Sequence, residues 1–214
     1  MGTRPEWEEL KDGFNRRIYS SYEEYLAAQA KKLGDGSEKV AKMDDALKSG
    51  LLRRIRANMQ GHIPEDGNIL CLGARMGGEV AAFIAAGYFA VGIDINPGKG
   101  NIWVLYGDFH KLNFPENCVD IIFTNSLDHV MEIDRVLSEV KRVLKADGRL
   151  IVEAKGGVAE PEVKSARSDK YDCFEWHTLD GLIAYIEKQG FQAIHRYRFK
   201  GFTPNGIIFT KAKQ

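Results

Sequence analysis

The sequence predicts an α/β fold whose core is a mostly parallel sheet with helices on both faces. Three observations carry that expectation. From Asn68 onward, short apolar runs alternate with amphipathic stretches, the pattern of repeated strand–helix units. A glycine-rich segment, Gly73-Ala-Arg-Met-Gly-Gly-Glu, lies directly between the first apolar run and the first amphipathic stretch. Near the end, Thr203-Pro-Asn-Gly separates two strand-like runs, so the alternation closes in a hairpin.

Residues 1 to about 60 differ in texture. They are polar and helix-prone, show no strand pattern, and are expected to form a helical cover over a main domain spanning 61–214. Ser21 is placed to cap a helix that runs to about Leu33, with Glu24 completing a capping box. Tyr22, Tyr25, Leu26, Gln29 and Leu33 share one side of it, and Gly34-Asp-Gly ends it. A second helix is expected from about Glu38 to Met59, with Ser49-Gly50 as a point of fracture.

In the main domain, Asn68–Leu72 reads as a buried strand and 78–86 as a helix. Strands follow at Tyr88–Ile93, Ile102–Tyr106 and Val119–Thr124. A helix over Glu132–Leu144 carries Ile133, Val136, Leu137, Val140, Val143 and Leu144 on one face. Its stop is expected at Asp147-Gly148, with the glycine in a left-handed C′ position. Arg149–Ala154 is the fifth strand, and 156–176 is irregular and polar. Thr178 is placed to cap a helix over Leu179–Gln189 that stops at Gly190, before strands at Gln192–Phe199 and Ile207–Lys211.

Composition narrows the function. The 214 residues suit one domain, and 44% hydrophobic with 28% charged content is that of a soluble globular chain. Thirty basic residues balance thirty acidic ones, so no net field draws the protein to nucleic acid or anionic lipid. Arg196, Arg198, Lys200, Lys211 and Lys213 near the C-terminus read as charges protecting an edge strand rather than an RNA patch. Cys71, Cys118 and Cys173 form no CxxC pair, which argues against structural zinc or a disulfide framework and suits a reducing cytoplasm. No apolar run approaches the roughly 18 residues of a membrane span. The expected partner is a small molecule.

Candidate binding residues fall at the ends of successive strands, where ligands bind in parallel sheets. Leu72, Gly73, Ala74, Arg75 and Gly77 form the first turn; its glycines let the backbone approach a ligand, and the following helix offers free N–H groups. Any tight strand-to-helix turn would use the same residues. Asp94, with Ile95 after it, stands about 20 residues further on, where a carboxylate can accept from a ribose diol. Asp108 and Phe109 follow the third strand, placed for an exocyclic amine and a purine ring. Each Asp could instead serve a local turn, but three such features at consecutive strand ends favour a nucleoside ligand.

The run Gly107-Asp-Phe-His-Lys-Leu-Asn-Phe-Pro-Glu-Asn-Cys-Val-Asp-Ile-Ile-Phe-Thr-Asn-Ser resembles the third and fourth motifs of class I S-adenosylmethionine-dependent methyltransferases. Arg142-Val-Leu-Lys-Ala-Asp-Gly-Arg-Leu-Ile-Val-Glu is similar to that family's fifth-strand segment. The resemblance implies a Rossmann-like, seven-stranded sheet with an antiparallel last strand, and S-adenosylmethionine as cofactor. It puts the 73–78 turn under the methionine part, Asp94 on the ribose, Asp108 and Phe109 at adenine, and Thr124, Asn125 and Ser126 near the methyl donor. Two positions depart from the family pattern. Cys71 stands where the family has an acid that helps hold the cofactor's ammonium, and Arg75 replaces the middle glycine. Arg75 could pair with the cofactor's carboxylate or point to solvent.

For an oxygen acceptor, the candidate general bases are Asp128 and His129, just beyond the fourth strand, with His177 as a third catalytic candidate. Tyr171 and Trp176, in the long 156–176 segment, and Tyr22 and Tyr25, on the first helix, are candidates for lining an acceptor pocket. The alternatives for these groups are a capping Asp, packed aromatics and a helix on the sheet's outer face. His110 is expected beside adenine or in solvent. No metal-ligand spacing stands out. A nicotinamide-dependent oxidoreductase would need a G-x-G-x-x-G turn, which Arg75 interrupts. A non-catalytic relative is the third reading.

Overall fold

The computed structural model describes residues 6–33, 37–160, 171–198 and 205–213. Parts of the expected C-terminal turn (Thr203 and Pro204), Lys200, the Gly34-Asp-Gly stop and residues 161–170 of the 156–176 connection lie outside these residues.

Seven strands form one sheet in the order β5-β4-β3-β6-β7-β10-β9. They are β3 (Asn68–Leu72), β4 (Phe89–Asp94), β5 (Val104–Tyr106), β6 (Val119–Thr124), β7 (Leu144–Ala154), β9 (Phe191–Arg198) and β10 (Asn205–Lys211). All pairs are parallel except those of β10, which runs antiparallel to both β7 and β9. The Rossmann-like sheet with an antiparallel last strand is thus present. The strands β3 and β6 are buried along nearly their whole length, as expected where helices cover both faces.

Each face has its own core. Leu70, Leu72, Ile122, Leu150 and Val152 pack against Val136, Leu137 and Val140 of α4 (Ile133–Val143) and Leu182 and Ile186 of α5 (Leu179–Lys188). On the other face, Ile69, Cys71, Ile121, Phe123 and Ile151 meet Val80 and Phe83 of α3 (Gly78–Ala85). They also meet Leu51, Ile55 and Met59 at the end of α2 (Ser37–Arg54) and its π-helical extension, Ile55–Met59. The helix runs through Ser49-Gly50 unbroken, because burying Leu51 and Ile55 outweighs the weak local propensity of glycine. Arg54 of α2 makes a two-pronged ion pair with Glu153 of β7 (2.6 Å for each arm), and Tyr197 donates to the same carboxylate at 3.0 Å. The second helix of the N-terminal region therefore belongs to the layer beneath the sheet. The first, α1 (Tyr22–Ala30), lies across the carboxyl ends of the strands.

Four local expectations change. The N-terminal region contains strands: β1 (Trp7–Leu10) and β2 (Phe14–Arg17) form a hairpin that pairs with β8 (Phe174–Trp176) in a second, three-stranded sheet. Its signal was Asp12-Gly13, both with positive φ (68° and 82°), a hairpin turn too short of apolar alternation to be read from pattern. Gly148 is not a left-handed cap, because α4 stops at Val143 and Leu144 is already extended. Glycine is needed there because a Cβ would lie 2.9 Å from the Asp120 carbonyl oxygen. The third strand of the main sheet starts at Val104, since the Asn101 side chain accepts from the N–H groups of Trp103 and Val104 and holds 101–103 out of the ladder. The capping box is shifted by one: Ser21 accepts from the Glu24 N–H, but Glu24 reaches Ser20 (2.7 Å to its N). No helix among the described residues is long and apolar enough to cross a membrane.

Gly92 on β4 marks the tightest contact beneath the glycine turn. A Cβ there would lie 2.7 Å from the Ala74 Cβ and 2.9 Å from Val80 Cγ2. Gly92→Ala is expected to cost about 1–3 kcal/mol of stability by overpacking, read as a lowered urea midpoint at unchanged slope.

Candidate active site

The turn after β3 is locked to the end of β4. Gly73 (φ 70°) and Ala74 both donate to the Ile93 carbonyl, at 2.9 and 3.0 Å. The Arg75 N–H donates to Asp94 Oδ2 (2.9 Å), while Asp94 Oδ1 accepts from the Asn96 N–H (2.8 Å). Arg75 itself has φ 43°, so it keeps the left-handed geometry that glycine adopts freely, at a cost of about 1–2 kcal/mol. A Cβ on Gly73 would lie 2.7 Å from Ser126 Oγ, which shows how closely the β3 and β6 ends approach.

Asp108 is held from behind. His110 is buried (1% exposed); its Nε2 accepts from the N–H groups of Met131 and Glu132, both at 3.2 Å, so its Nδ1 carries the proton and donates to Asp108 Oδ1 at 2.9 Å. The other oxygen, Oδ2, accepts a short hydrogen bond from the Tyr22 hydroxyl. Burial raises the Asp108 pKa, but the bonds from His110 and Tyr22 outweigh it and hold the carboxyl below its usual range. His110 is therefore not in solvent, and its ring stacks on Phe109 with centroids 5.1 Å apart. It orients Asp108 and ties it to the start of α4.

The helix α1 closes over these strand ends. Besides Tyr22 on Asp108, the Tyr25 hydroxyl donates to the His129 carbonyl (3.0 Å) and Gln29 donates to the Tyr171 carbonyl (2.8 Å). The Ala30 carbonyl accepts from Asn96 at 2.6 Å. Beneath it is a cavity of about 50 Å³ lined by residues that include Tyr25, Gln29, Lys32, Gly73, Arg75, Asp94, Ile95, Phe109, Ser126 and His129. A nucleoside ligand needs several hundred Å³, so α1 must shift for one to enter.

His129, in the 3-10 turn Leu127–His129, offers a base to that cavity. Its Nδ1 lies 2.9 Å from the Tyr171 carbonyl, which can only accept, so Nδ1 bears the hydrogen and Nε2 carries the lone pair. Lys32 Nζ sits 2.6 Å from Nε2. Behind the ring, Lys155 Nζ bridges Asp172 (2.6 Å) and Asp128 (3.2 Å). Burial raises the Asp128 pKa, yet His129, Lys155 and Lys32 together hold it below the usual value. Burial and the neighbouring Asp128 charge push Asp172 up. Asp128, His129 and Asp172 present ligand atoms within 4.8 Å of one another, but the Lys155 ammonium already fills the cation position between the carboxylates.

A third acidic group lies under the turn. Asp44 of α2 accepts from the Gly78 N–H (3.1 Å), with Arg75 Nη2 3.6 Å from its other oxygen. Glu79, in the first turn of α3, is 1% exposed and accepts from Asn125 at 3.1 Å. Burial pushes the Glu79 carboxyl up to about 7.

Residues 70–152, from within β3 to within β7, match the family described as "Methyltransferase domain". That stretch carries the glycine turn and the strand ends that line the cavity. One curated relative of the chain is the malonyl-[acyl-carrier protein] O-methyltransferase of Methylococcus capsulatus, 30% identical over 186 residues. That match takes in 78% of the present chain but 62% of the relative, so the chain spans less than two thirds of that protein's length. Among solved structures, the 1,6-didemethyltoxoflavin-N1-methyltransferase of Burkholderia thailandensis, with bound 1,6-didemethyltoxoflavin and S-adenosylhomocysteine, superposes with a TM-score of 0.70 at 14% identity. It covers 97% of this chain and 100% of that one. A possible histamine N-methyltransferase of Thermotoga maritima gives 0.61 at 15% identity, covering 86% and 98%. At such identities the likeness is one of fold.

Several sequence candidates converge on the cavity: Gly73, Arg75, Asp94, Ile95, Phe109, Ser126, His129 and Tyr25 line it. Leu72 and Ala74 are core residues that set the turn, Gly77 (φ 98°) precedes α3, and Asn125 holds Glu79. Tyr22, Asp108 and Asp128 stand outside its lining: Tyr22 bonds Asp108, the neighbour of Phe109, and Asp128 precedes His129 and pairs with Lys155. Two candidates are elsewhere. His177 packs over Gly13 of the hairpin, with its N–H on the Gly13 carbonyl, because β8 pairs with β2 and draws the chain away from the strand ends. Trp176 is 3% exposed in the α4–α5 core, and its indole N–H donates to the Lys155 carbonyl. Tyr171 contributes chiefly its carbonyl, which accepts from Gln29 and His129. Lys32, Asp44, Lys155 and Asp172 were missed, since nothing in their local sequence sets them apart. Glu79 left a signal, being the one charge in the apolar helix Gly-Glu-Val-Ala-Ala-Phe-Ile-Ala.

The raised Glu79 pKa has a definite sign. A carboxyl whose folded-state pKa exceeds its unfolded value favours the fold at low pH, and that support is lost as pH rises from about 4.5 through 7. Glu79→Gln should therefore be more stable than wild type at pH 8 by about 2–3 kcal/mol, and match it within about 0.5 kcal/mol at pH 4.5. Urea unfolding at the two pH values reads the difference.

Proposed function

We propose that this chain transfers a methyl group from S-adenosylmethionine to an oxygen of a small-molecule acceptor, with His129 as general base. The observation that carries the reading is His129, which lines the same cavity as Gly73, Asp94, Phe109 and Ser126 and whose Nε2 is held there by Lys32. The residues fit the cofactor. Asp94 would accept from the ribose diol, Ile95 and Phe109, which line the cavity, would meet the purine ring, and Asp108 Oδ2 would accept from an exocyclic amine once Tyr22 releases it. Arg75 would hold the methionine carboxylate, and Asn125 and Ser126 would stand near the methyl donor. The bound cofactor supplies a methyl carbon open to direct displacement. The chain's own residues align the acceptor, exclude water beneath α1 and remove the acceptor's proton to Nε2 as its oxygen attacks. Lys32 must leave Nε2 first, which links acceptor activation to movement of the cover. The name of the Methylococcus relative supports oxygen as the target, while the Burkholderia enzyme methylates a nitrogen.

Calorimetric titration with S-adenosylhomocysteine tests the cofactor site: Asp94→Ala and Asp108→Ala should each weaken binding by roughly 1–3 kcal/mol, since each leaves a ligand polar group unpaired. NAD binding in place of S-adenosylhomocysteine would overturn the reading. For the base, His129→Gln should lower turnover of a hydroxyl acceptor by about 10²–10⁴-fold. A variant with full turnover assigns the proton transfer elsewhere.

A further inference from the structure

The cofactor reading leaves one group without an employment. Glu79 Oε2 is buried and has no hydrogen-bond partner among the described residues, although Oε1 is held by Asn125. We propose that Glu79 receives the α-ammonium of the cofactor's methionine part, doing from α3 what an acid on β3 would otherwise do. The proposal rests on the methyltransferase reading and goes beyond it by assigning a ligand group to a residue outside the family's motif positions.

Three observations support the assignment. Glu79 lies at the right junction. Its carboxylate is bonded to the side chain of Asn125 at the end of β6, and the adjacent Ser126 lies against Gly73, which lines the cavity. It also stands beside Cys71 on β3, whose thiol is pushed up by burial and by the Glu79 charge. The carboxylate thus occupies the neighbourhood of the position where the family resemblance places its acid.

Charge is also unbalanced there. Among the described residues, Asp44 and Glu79 put two buried carboxylates around one guanidinium, that of Arg75, which lies 3.6 Å from Asp44. Each acid has one oxygen without a hydrogen-bond partner. A water could meet the hydrogen-bond deficit but not the missing positive charge, whereas an ammonium meets both.

Finally, no packing role needs a carboxylate at 79. The same helix face is otherwise Val80, Ala82 and Phe83, and an apolar residue there would avoid the desolvation that Glu79 suffers. A buried acid that lowers stability and lies beside a ligand cavity is the pattern of a binding group held ready for its charge.

The test compares S-adenosylhomocysteine with its desamino analogue, identical but lacking the amine, by calorimetry on the full chain. Wild type should bind S-adenosylhomocysteine about 10–100-fold more tightly than the analogue, the range of a charge-assisted contact. Glu79→Gln should lose most of that preference by weakening S-adenosylhomocysteine alone, with analogue affinity unchanged as an internal check that the site is folded. Adding Cys71→Asp to Glu79→Gln should restore a preference for the amine. If Glu79→Gln binds S-adenosylhomocysteine as tightly as wild type, or weakens both ligands equally, Glu79 is a structural support of the turn and the proposal is overturned. If wild type binds neither ligand, the methyltransferase reading falls and takes this proposal with it.

Discussion

The site depends on one seam, the pairing of the turn after β3 with the end of β4. Two successive N–H groups, of Gly73 and Ala74, share the Ile93 carbonyl, and the third, of Arg75, goes to the Asp94 carboxylate. That arrangement leaves the chain only a left-handed path, which it takes at Gly73, Arg75 and Gly77. The path aims α3 away from the strand ends and sets its first turn against Asp44 and Asn125. Gly92 is required beneath it because Ala74 and Val80 fill the space a side chain would use. Arg75 shows that the geometry is imposed by the seam: a residue with a Cβ has been accepted where glycine is cheaper, and its side chain has gained a place in the cavity wall.

The cover over the site is held by a different kind of force. Besides the buried Tyr25 ring packed on His110, the contacts of α1 and the turn after it with the strand ends are single hydrogen bonds: Tyr22 to Asp108, Tyr25 to the His129 carbonyl, Gln29 to the Tyr171 carbonyl, Lys32 to His129 and Asn96 to the Ala30 carbonyl. Each contributes about 0.5–1.5 kcal/mol net, so a ligand that replaces several of them can displace the helix. The sheet beneath is held by two apolar cores and the buried Arg54–Glu153 pair, and does not share that freedom. Two of the groups released by such a movement, Asp108 Oδ2 and His129 Nε2, are the ones the proposed reaction uses.

Period and punctuation made most of the main domain legible. Buried strands at Asn68–Leu72 and Val119–Thr124, the 3.6-residue stripe of α4 and the cap at Thr178 all lie where expected. The carboxylates at the strand ends were legible for the same reason, because a strand that terminates at Asp94 delivers that side chain to one edge of the sheet. The β1–β2 hairpin was hidden because four-residue strands carry too few alternations, and its stability comes from Phe14, Phe174 and Trp176 joining a core built by distant segments. His177 was misplaced as a consequence, since the pairing of β8 with β2 decides where that stretch goes.

What the sequence determined by itself was therefore the parallel sheet, its closing antiparallel hairpin, and the Asp94, Asp108 and His129 positions, because short-range pattern dictates which residues terminate each strand. What only the tertiary structure decided was charge and access. Whether Asp128 stays ionised depends on Lys155 and Lys32, whether Asp108 is available depends on Tyr22, and Glu79 gains its character from burial beside Asp44 and Cys71. These are properties of groups brought together from segments tens of residues apart. Desolvation and Coulomb forces act across that spatial neighbourhood, which a local sequence pattern does not encode.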